Sequence, residues 1–497
     1  MQARIDHMIV WGISANSHNA SLAVFKNDDL LFASDSERYS KIKNDPDLHM
    51  DLVNEALHLV GEPDLICWYE NPYKKTLRQL YAGQGLKLNE NNIKKYLSTY
   101  KLKSPIKYQS HHHSHASAGY YTSPYEQATV VCIDSIGEFE TLTVWKAEGD
   151  RLKKIHRLSY PHSIGLWYSA MTQRIGLKPN EEEYILMGMA ALGDPYKFYA
   201  EIYRDFFSSN SNREKIQFST NLHKGCLWWR PELQSEQDKF DIAAAVQKIY
   251  EDLFYSVIDH SKKLNPSDNL VLMGGCALNC VANNIAYKFY NNVWIMPAPG
   301  DNGSSIGSVL AYKQKHISWP GAYLGHDLGH STDNNVIIDY LLKNSLCGLA
   351  RGKAEFGPRA LGNRSLIADP RLPDIKDRVN KIKQRELFRP FSPAVLEEFA
   401  DIYFDMPSTR SPYMQFTARC KCPEKYPGVV HFDGTSRVQT VSAKDNAEFR
   451  DLLEKWFIKT GCPMLLNTSL NIKGQPILND SKDVENWKDR YGLPVFT

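Results

Sequence analysis

The chain has 497 residues, a net charge of +2, 42% hydrophobic residues and 23% charged ones, enough for two or three globular domains with real cores. That balance excludes a disordered chain and a uniformly basic nucleic-acid binder, and no apolar run approaches the ~20 residues of a membrane span. Nine cysteines with no CxxC spacing predict reduced thiols, and Met1–Asp6 carries no apolar signal core, so a cytoplasmic location is expected.

Residues 7–34 read as a strand, a turn at Asn16-Ser17-His18-Asn19-Ala20-Ser21, a second strand and a hairpin at Asn27-Asp28-Asp29. Residues 127–158 repeat the plan, with a turn near Gly149-Asp150, which predicts internal duplication. Between them, residues 71–110 carry nine basic side chains and one acidic one, Glu90, a net +8 that leaves −6 for the rest of the chain. Five tyrosines are interleaved: Tyr73, Tyr81, Tyr96, Tyr100 and Tyr108. Lysines beside aromatics suit a groove where charge tracks phosphates and rings stack bases. The alternative is a pair of lysine-rich surface helices with their tyrosines turned inward.

The run His111-His112-His113-Ser114-His115 follows directly. Histidines four apart on a helix project from one face and can share a cation, here His111 with His115. The other reading is a solvated histidine loop. Cys132-Ile133-Asp134-Ser135-Ile136-Gly137-Glu138 reads as a strand running into a glycine turn. A carboxylate there, with Gly300-Asp301-Asn302-Gly303-Ser304 as the opposite jaw, would close a metal and phosphate site. Asn269–Met273 reads as a buried strand, followed by Gly274-Gly275-Cys276-Ala277-Leu278-Asn279 entering a helix, an arrangement able to take an anion or nucleotide. A Gly-, Pro- and Trp-rich boundary over 317–331 precedes a helix over 336–343. Domains are therefore expected at 1–316 and 335–497.

The second half carries four further strings. They are Glu355-Phe356-Gly357-Pro358-Arg359-Ala360-Leu361-Gly362-Asn363-Arg364-Ser365, Lys383-Gln384-Arg385-Glu386-Leu387-Phe388-Arg389-Pro390-Phe391, Arg437-Val438-Gln439-Thr440 and Asn467-Thr468-Ser469-Leu470-Asn471. With the histidine and glycine motifs, in order from His18 to Pro476, they resemble the O-carbamoyltransferase family of nodulation-factor, cephalosporin and tobramycin enzymes. The resemblance implies an α/β protein: an actin-like ATPase, threonylcarbamoyl transferase-like N-terminal domain and a YrdC-like twisted α/β C-terminal domain. It also implies that the second domain makes carbamoyl-adenylate from carbamoyl phosphate and ATP, with Mg for the ATP. The first would then pass the carbamoyl group to an alcohol with a bound divalent metal.

Carried over by position, the metal ligands are His111, His115, Asp134 and Asp301, a set suited to Fe(II), Mn(II) or Zn(II), with Fe(II) the family's frequent choice. Gly274, Gly275 and Asn279 would line the adenosine pocket. Lys383, Arg389, Arg437, Asn467 and Ser469 would serve carbamoyl phosphate and the ATP phosphates, Lys383 and Arg389 catalytically. His18 matches the family histidine beside the acceptor hydroxyl, where a neutral imidazole can take its proton. Asn19 replaces the usual Asp, which leaves His18 in need of a carboxylate. Ile185 stands where many relatives carry lysine, and the tail after Pro476 is short. A homodimer is possible for such a chain.

The +8 segment points to DNA as the acceptor-bearing partner, with a hydroxymethyl pyrimidine as the accessible alcohol and Tyr96 or Tyr100 as stacking rings. Three other readings compete: carbamoylation of an antibiotic or sugar hydroxyl, a tRNA threonylcarbamoyl-type enzyme, and a non-catalytic nucleotide-binding scaffold.

Overall fold

The computed structural model describes residues 8–211 and 215–497, so the Met1–Asp6 segment lies outside the described residues. Contacts divide the chain into two units, one of residues 1–40 and 44–320, the other of residues 41–43 and 321–497. Among the described residues no helix is long and apolar enough to cross a membrane. None of the nine cysteines is in a disulfide, and seven are buried.

The first unit opens with β1 (Ile9–Ser14), β2 (Ser21–Lys26), β3 (Asp29–Asp35), β4 (Leu65–Trp68) and β5 (Ile106–Tyr108). β1 is almost wholly buried, as a central strand covered on both faces must be. The sheet runs β3-β2-β1-β4-β5, with the first three strands antiparallel and β1, β4 and β5 parallel. The second sheet contains β6 (Gln127–Gly137), β7 (Glu140–Glu148), β8 (Arg151–Ser159), β9 (Asn269–Met273) and β10 (Asn292–Trp294). Its order is β8-β7-β6-β9-β10, again three antiparallel strands and then two parallel ones. This repeated order is the duplication expected from the paired hairpins, and it is the plan of the actin-like ATPase fold.

Helices His111–Thr122 and Ser304–Lys313 cross closely, because Gly307 has no side chain: a Cβ there would lie 2.0 Å from the Ser114 carbonyl oxygen. The first of them packs on β9, where a Cβ at Gly119 would meet Met273 at 2.5 Å. A long helix, Glu236–Leu264, begins at a reciprocal Ser235/Asp238 cap. Ile185 is buried on helix Glu183–Met189.

The GGCALN string does not enter an α-helix; it forms a 3-10 turn, Gly275–Leu278, followed by a second 3-10 segment, Ala282–Lys288. Gly274 holds φ at 87°, and the Asn279 side chain accepts from the Ala282 amide at 3.1 Å. That local bond competes with helix propagation.

The second unit is also α/β. Its strands are β11 (Tyr323–Asp327), β12 (Leu346–Ala350), β13 (Lys353–Glu355), β14 (Arg364–Ala368), β15 (Ser392–Leu396) and β16 (Phe404–Asp405). They continue with β17 (Thr417–Cys420), β18 (Thr435–Arg437), β19 (Gln439–Val441), β20 (Met464–Ser469) and β21 (Val495–Phe496). Six form a mixed sheet, β19-β15-β20-β14-β12-β21, with smaller sheets β11-β13 and β16-β17-β18 beside it. Helices Asn334–Asn344 and Ala443–Thr460 contribute Ile337, Leu341, Phe449 and Trp456 to its core. The helix predicted over 336–343 falls inside the first of these.

Candidate functional site

Three segments of the chain converge on one point of the first unit. His111 and His115 lie one turn apart at the start of their helix, Asp134 lies on β6, and Asp301 lies in the turn Asp301–Gly303 ahead of helix Ser304–Lys313. All four are buried, and one ligand atom from each lies within 4.8 Å of the others. The two imidazole Nε2 atoms are 3.1 Å apart. His111 Nε2 is 3.0 Å from Asp134 Oδ2 and 3.3 Å from Asp301 Oδ1, and His115 Nε2 is 3.2 Å from Asp301 Oδ1.

Two ring nitrogens facing each other among two carboxylates form a donor set for one divalent cation. Their electrostatics agree. Burial disfavours an imidazolium at His111, yet Asp301 and Asp134 outweigh it and raise its pKa. Burial likewise opposes the Asp134 carboxylate, but His111 and His115 hold it well below the usual range. The other two histidines of the run are elsewhere. His112 Nδ1 is 2.9 Å from the Thr143 hydroxyl, and His113 stacks on Trp145.

The surroundings fix these groups. Gly137 allows the His111 ring to approach closely, since a Cβ there would lie 2.2 Å from it. Ser304 Oγ is 3.4 Å from His115 Nδ1, and the Gly275 amide donates to Asp134 Oδ1 at 3.2 Å. Gly274 and Gly275 are thus beside the cluster, while Asn279 donates to Gln247 Oε1 at 2.9 Å on the long helix. His18, partly exposed, has its Nε2 3.4 Å from Asp301 Oδ2. Asp301 therefore supplies the carboxylate that Asn19 does not.

In the second unit, Ser392 on β15 pairs with Asn467 on β20, and Ser469 ends β20. Arg437 Nε donates to Ser392 Oγ at 3.2 Å, and Asn467 donates to Gln439 Oε1 at 2.7 Å. Buried Lys383 donates to the Ser469 carbonyl and, at 2.9 Å each, to the carbonyl and side-chain oxygens of Asn471. Burial, then Arg385 and Arg389, push its pKa down. Its ammonium braces the Ser469–Asn471 loop. Arg389 lies 3.4 Å from Glu386.

The Carbamoyltransferase N-terminus family model matches residues 9–310 and the Carbamoyltransferase C-terminus model matches residues 338–496. This chain belongs to the carbamoyltransferase family. An uncharacterised protein of Synechocystis sp. is 30% identical to it, over 95% of this chain and 93% of that one. Nodulation protein NolO of Bradyrhizobium diazoefficiens is 30% identical over 75% of each chain. A crystal structure of HypF in its phosphate- and nucleotide-bound form overlays with a TM-score of 0.38 and 13% identity, over 62% of this chain and 46% of that one.

The chain's basic segment departs from expectation. Tyr96 and Tyr100 are not exposed stacking rings. They pack against the first sheet's core, where the Tyr96 hydroxyl accepts from the Leu48 amide at 2.8 Å and the Tyr100 hydroxyl donates to the Leu48 carbonyl at 2.7 Å. Burial raises the pKa of both phenols. Nor are all nine basic groups at the surface. Lys75 is buried against Glu70, and buried Arg78 donates from Nε to the Glu138 carbonyl at 3.1 Å.

Sequence reasoning passed over several residues near the cluster. Tyr69 packs on the His111 ring at a centroid distance of 5.3 Å, and Glu138 Oε1 accepts from the Asn71 amide at 2.6 Å. Glu138 and Ser304 stand in strings that the sequence singles out; Tyr69 and Gln247 have no signal in their local sequence.

Proposed function

We propose that this chain is an ATP-dependent O-carbamoyltransferase. The observation that carries the reading is the buried His111–His115–Asp134–Asp301 cluster in a chain of the carbamoyltransferase family. In the reaction, water hydrolyses carbamoyl phosphate to carbamate and phosphate, breaking the bond between the carbamoyl group and the phosphate and releasing a proton. A carbamate oxygen attacks the α-phosphorus of ATP, and pyrophosphate leaves. The acceptor hydroxyl then attacks the carbamoyl carbon of the adenylate, and AMP leaves with the electron pair of the broken C–O bond.

The second unit, read as a YrdC-like domain, performs the first half. Arg389 and Arg437 neutralise phosphate charge, while Lys383 holds Ser469 and Asn471 in place for the same ligands. The first unit performs the second half. Gly274, Gly275 and Asn279 receive the adenosine end. A divalent cation, with Fe(II) or Mn(II) favoured by the donor set, would be held by His111, His115, Asp134 and Asp301 and would stabilise charge on the departing AMP. His18 takes the hydroxyl proton at Nδ1, which has no hydrogen-bond partner, while Nε2–H faces the Asp301 carboxylate and fixes the tautomer.

The acceptor is a hydroxymethyl pyrimidine, preferably in DNA. The support is the exposed lysines of residues 71–110, Lys74, Lys94, Lys95, Lys101, Lys103 and Lys107, in the segment that leads directly into His111. The experiment supplies ATP and carbamoyl phosphate, measures pyrophosphate, and follows acceptor mass for hydroxymethyl-bearing DNA, the free nucleoside and an aminoglycoside in parallel. Pyrophosphate release with a carbamoyl mass gain on the first two is expected. Gain on the aminoglycoside alone refutes the acceptor, and no pyrophosphate refutes the enzyme reading.

A further inference from the structure

Helix Pro72–Tyr81 is inside out. Lys75 and Arg78 are only 5% and 8% exposed, whereas Tyr73, Leu77, Leu80 and Tyr81 are 67%, 58%, 51% and 70% exposed. The four apolar positions follow the i, i+4, i+7, i+8 spacing of a single helix face. Leu86 and Leu88, in the connection that follows, are also exposed. Sinking two cations while leaving two leucines and two tyrosines in water is costly on both counts, and a contiguous exposed apolar face marks an interaction site.

The buried side of the helix is wired to the candidate site. Lys75 donates to the Asn16 carbonyl at 2.7 Å, two residues before His18, and to Glu70 Oε1 at 2.6 Å. The helix's first-turn cap, Asn71, donates its amide to Glu138, the residue after Gly137, on which the His111 ring rests. Asn16 in turn donates its side-chain amide to the Glu90 carbonyl at 2.8 Å. The outward face therefore stands on the same framework that holds His18 and His111.

We infer that this face is a platform for single-stranded nucleic acid, on which bases flanking the reacting pyrimidine lie against Tyr73, Leu77 and Leu80. The inference rests on the reading of the acceptor as DNA. Charge selects this occupant. Lys74 on the helix and Lys107 on β5 are exposed, and Tyr73 meets Tyr108 of that edge strand edge-on at 6.2 Å. Lys94, Lys95, Lys101 and Lys103 are exposed in the same segment. A polyanion carrying planar rings satisfies both the lysines and the apolar face, whereas a second copy of this chain would set lysines against lysines. A single strand is required because a paired base does not offer its face.

The test uses full-length protein, ATP, carbamoyl phosphate, a hydroxymethyl-bearing single-stranded oligonucleotide and the matching free nucleoside. Oligonucleotide binding is read by fluorescence anisotropy, independently of catalysis. Tyr73→Ser and the double change Leu77→Ser with Leu80→Ser each weaken oligonucleotide binding about tenfold, the scale of one lost stacking contact. Pyrophosphate release and carbamoylation of the free nucleoside stay at wild-type rates. Lys74→Glu flattens the salt dependence of binding.

Wild-type oligonucleotide affinity in all three variants overturns the platform, as does a wild-type protein that does not bind the oligonucleotide. So does a self-association in sedimentation, or binding to anionic phospholipid vesicles, that Leu77→Ser with Leu80→Ser abolishes while leaving oligonucleotide affinity intact. If the wild type binds the oligonucleotide and the variants do not, yet neither acceptor is carbamoylated, the platform stands and the reading of the acceptor falls.

Discussion

The buried His111–His115–Asp134–Asp301 cluster and helix Pro72–Tyr81 are both built from titratable side chains withdrawn from water, but to opposite effect. At the cluster, two carboxylates and two imidazoles are buried facing one another, with one ligand atom of each within 4.8 Å of the others. On the helix, Lys75 and Arg78 are buried facing Glu70, Gln84 and backbone carbonyls, and each makes two hydrogen bonds within the protein. The first arrangement turns charge toward chemistry. The second uses charge as an internal brace and gives the outer face to leucine and tyrosine. A count of basic residues therefore describes a surface only after each has been matched to its partner.

If the cluster is where chemistry happens, the largest effects belong there. Asp134→Ala or His115→Ala should lower acceptor carbamoylation by at least about a hundredfold, because each removes a ligand and leaves buried opposite charges unmatched. Pyrophosphate release should persist in both, whereas Arg389→Ala should abolish it. Coupled pyrophosphate and mass assays on the three variants check this; loss of pyrophosphate in Asp134→Ala would break the division of labour. Stripping the protein with chelator and then returning it to Mg and ATP without chelator should act like Asp134→Ala, stopping carbamoyl transfer until Fe(II) or Mn(II) is restored. Full transfer by metal-free protein would remove the cation from the account.

The supporting groups sharpen the contrast at smaller magnitude. Ser304→Ala removes the hydroxyl 3.4 Å from His115 Nδ1 and should weaken metal affinity by about 10- to 100-fold, with turnover recovered at saturating metal. A metal titration of activity and of metal binding measures it. The smallest effect belongs to the braced side of the basic segment. Tyr96→Phe deletes the acceptor for the Leu48 amide and should cost about 1 kcal/mol in denaturant unfolding, with oligonucleotide affinity unchanged. A loss of affinity there would return Tyr96 to the nucleic-acid face.

Much of the first unit was legible in sequence because its signals are local. Hairpin turns at Asn27-Asp28 and Gly149-Asp150 punctuate alternating strands, and the two resulting sheets share one order. His111 and His115 were legible because helical spacing alone puts them on one face. What stayed hidden depends on partners distant in sequence. Nothing within residues 71–110 says that Glu138 lies over Arg78, or that Leu48 takes both Tyr96 and Tyr100. His18's carboxylate, Asp301, is 283 positions away in the chain, so inspection of Asn19 could not reveal it. The GGCALN string does enter a helix, but a short 3-10 one, and Asn279's side-chain bond to the Ala282 amide, which the pattern does not reveal, lies where an α-helix would continue.

The central claim is that the buried cluster of the first unit carries carbamoyl transfer and not adenylate formation. The most direct measurement is a single reaction with Asp134→Asn, a near-isosteric change, supplied with carbamoyl phosphate, ATP and a hydroxymethyl nucleoside and read for pyrophosphate and nucleoside mass together. The account predicts pyrophosphate at the wild-type rate and no carbamoyl mass gain on the nucleoside. Wild-type carbamoylation by Asp134→Asn, or loss of pyrophosphate release along with it, would contradict the account.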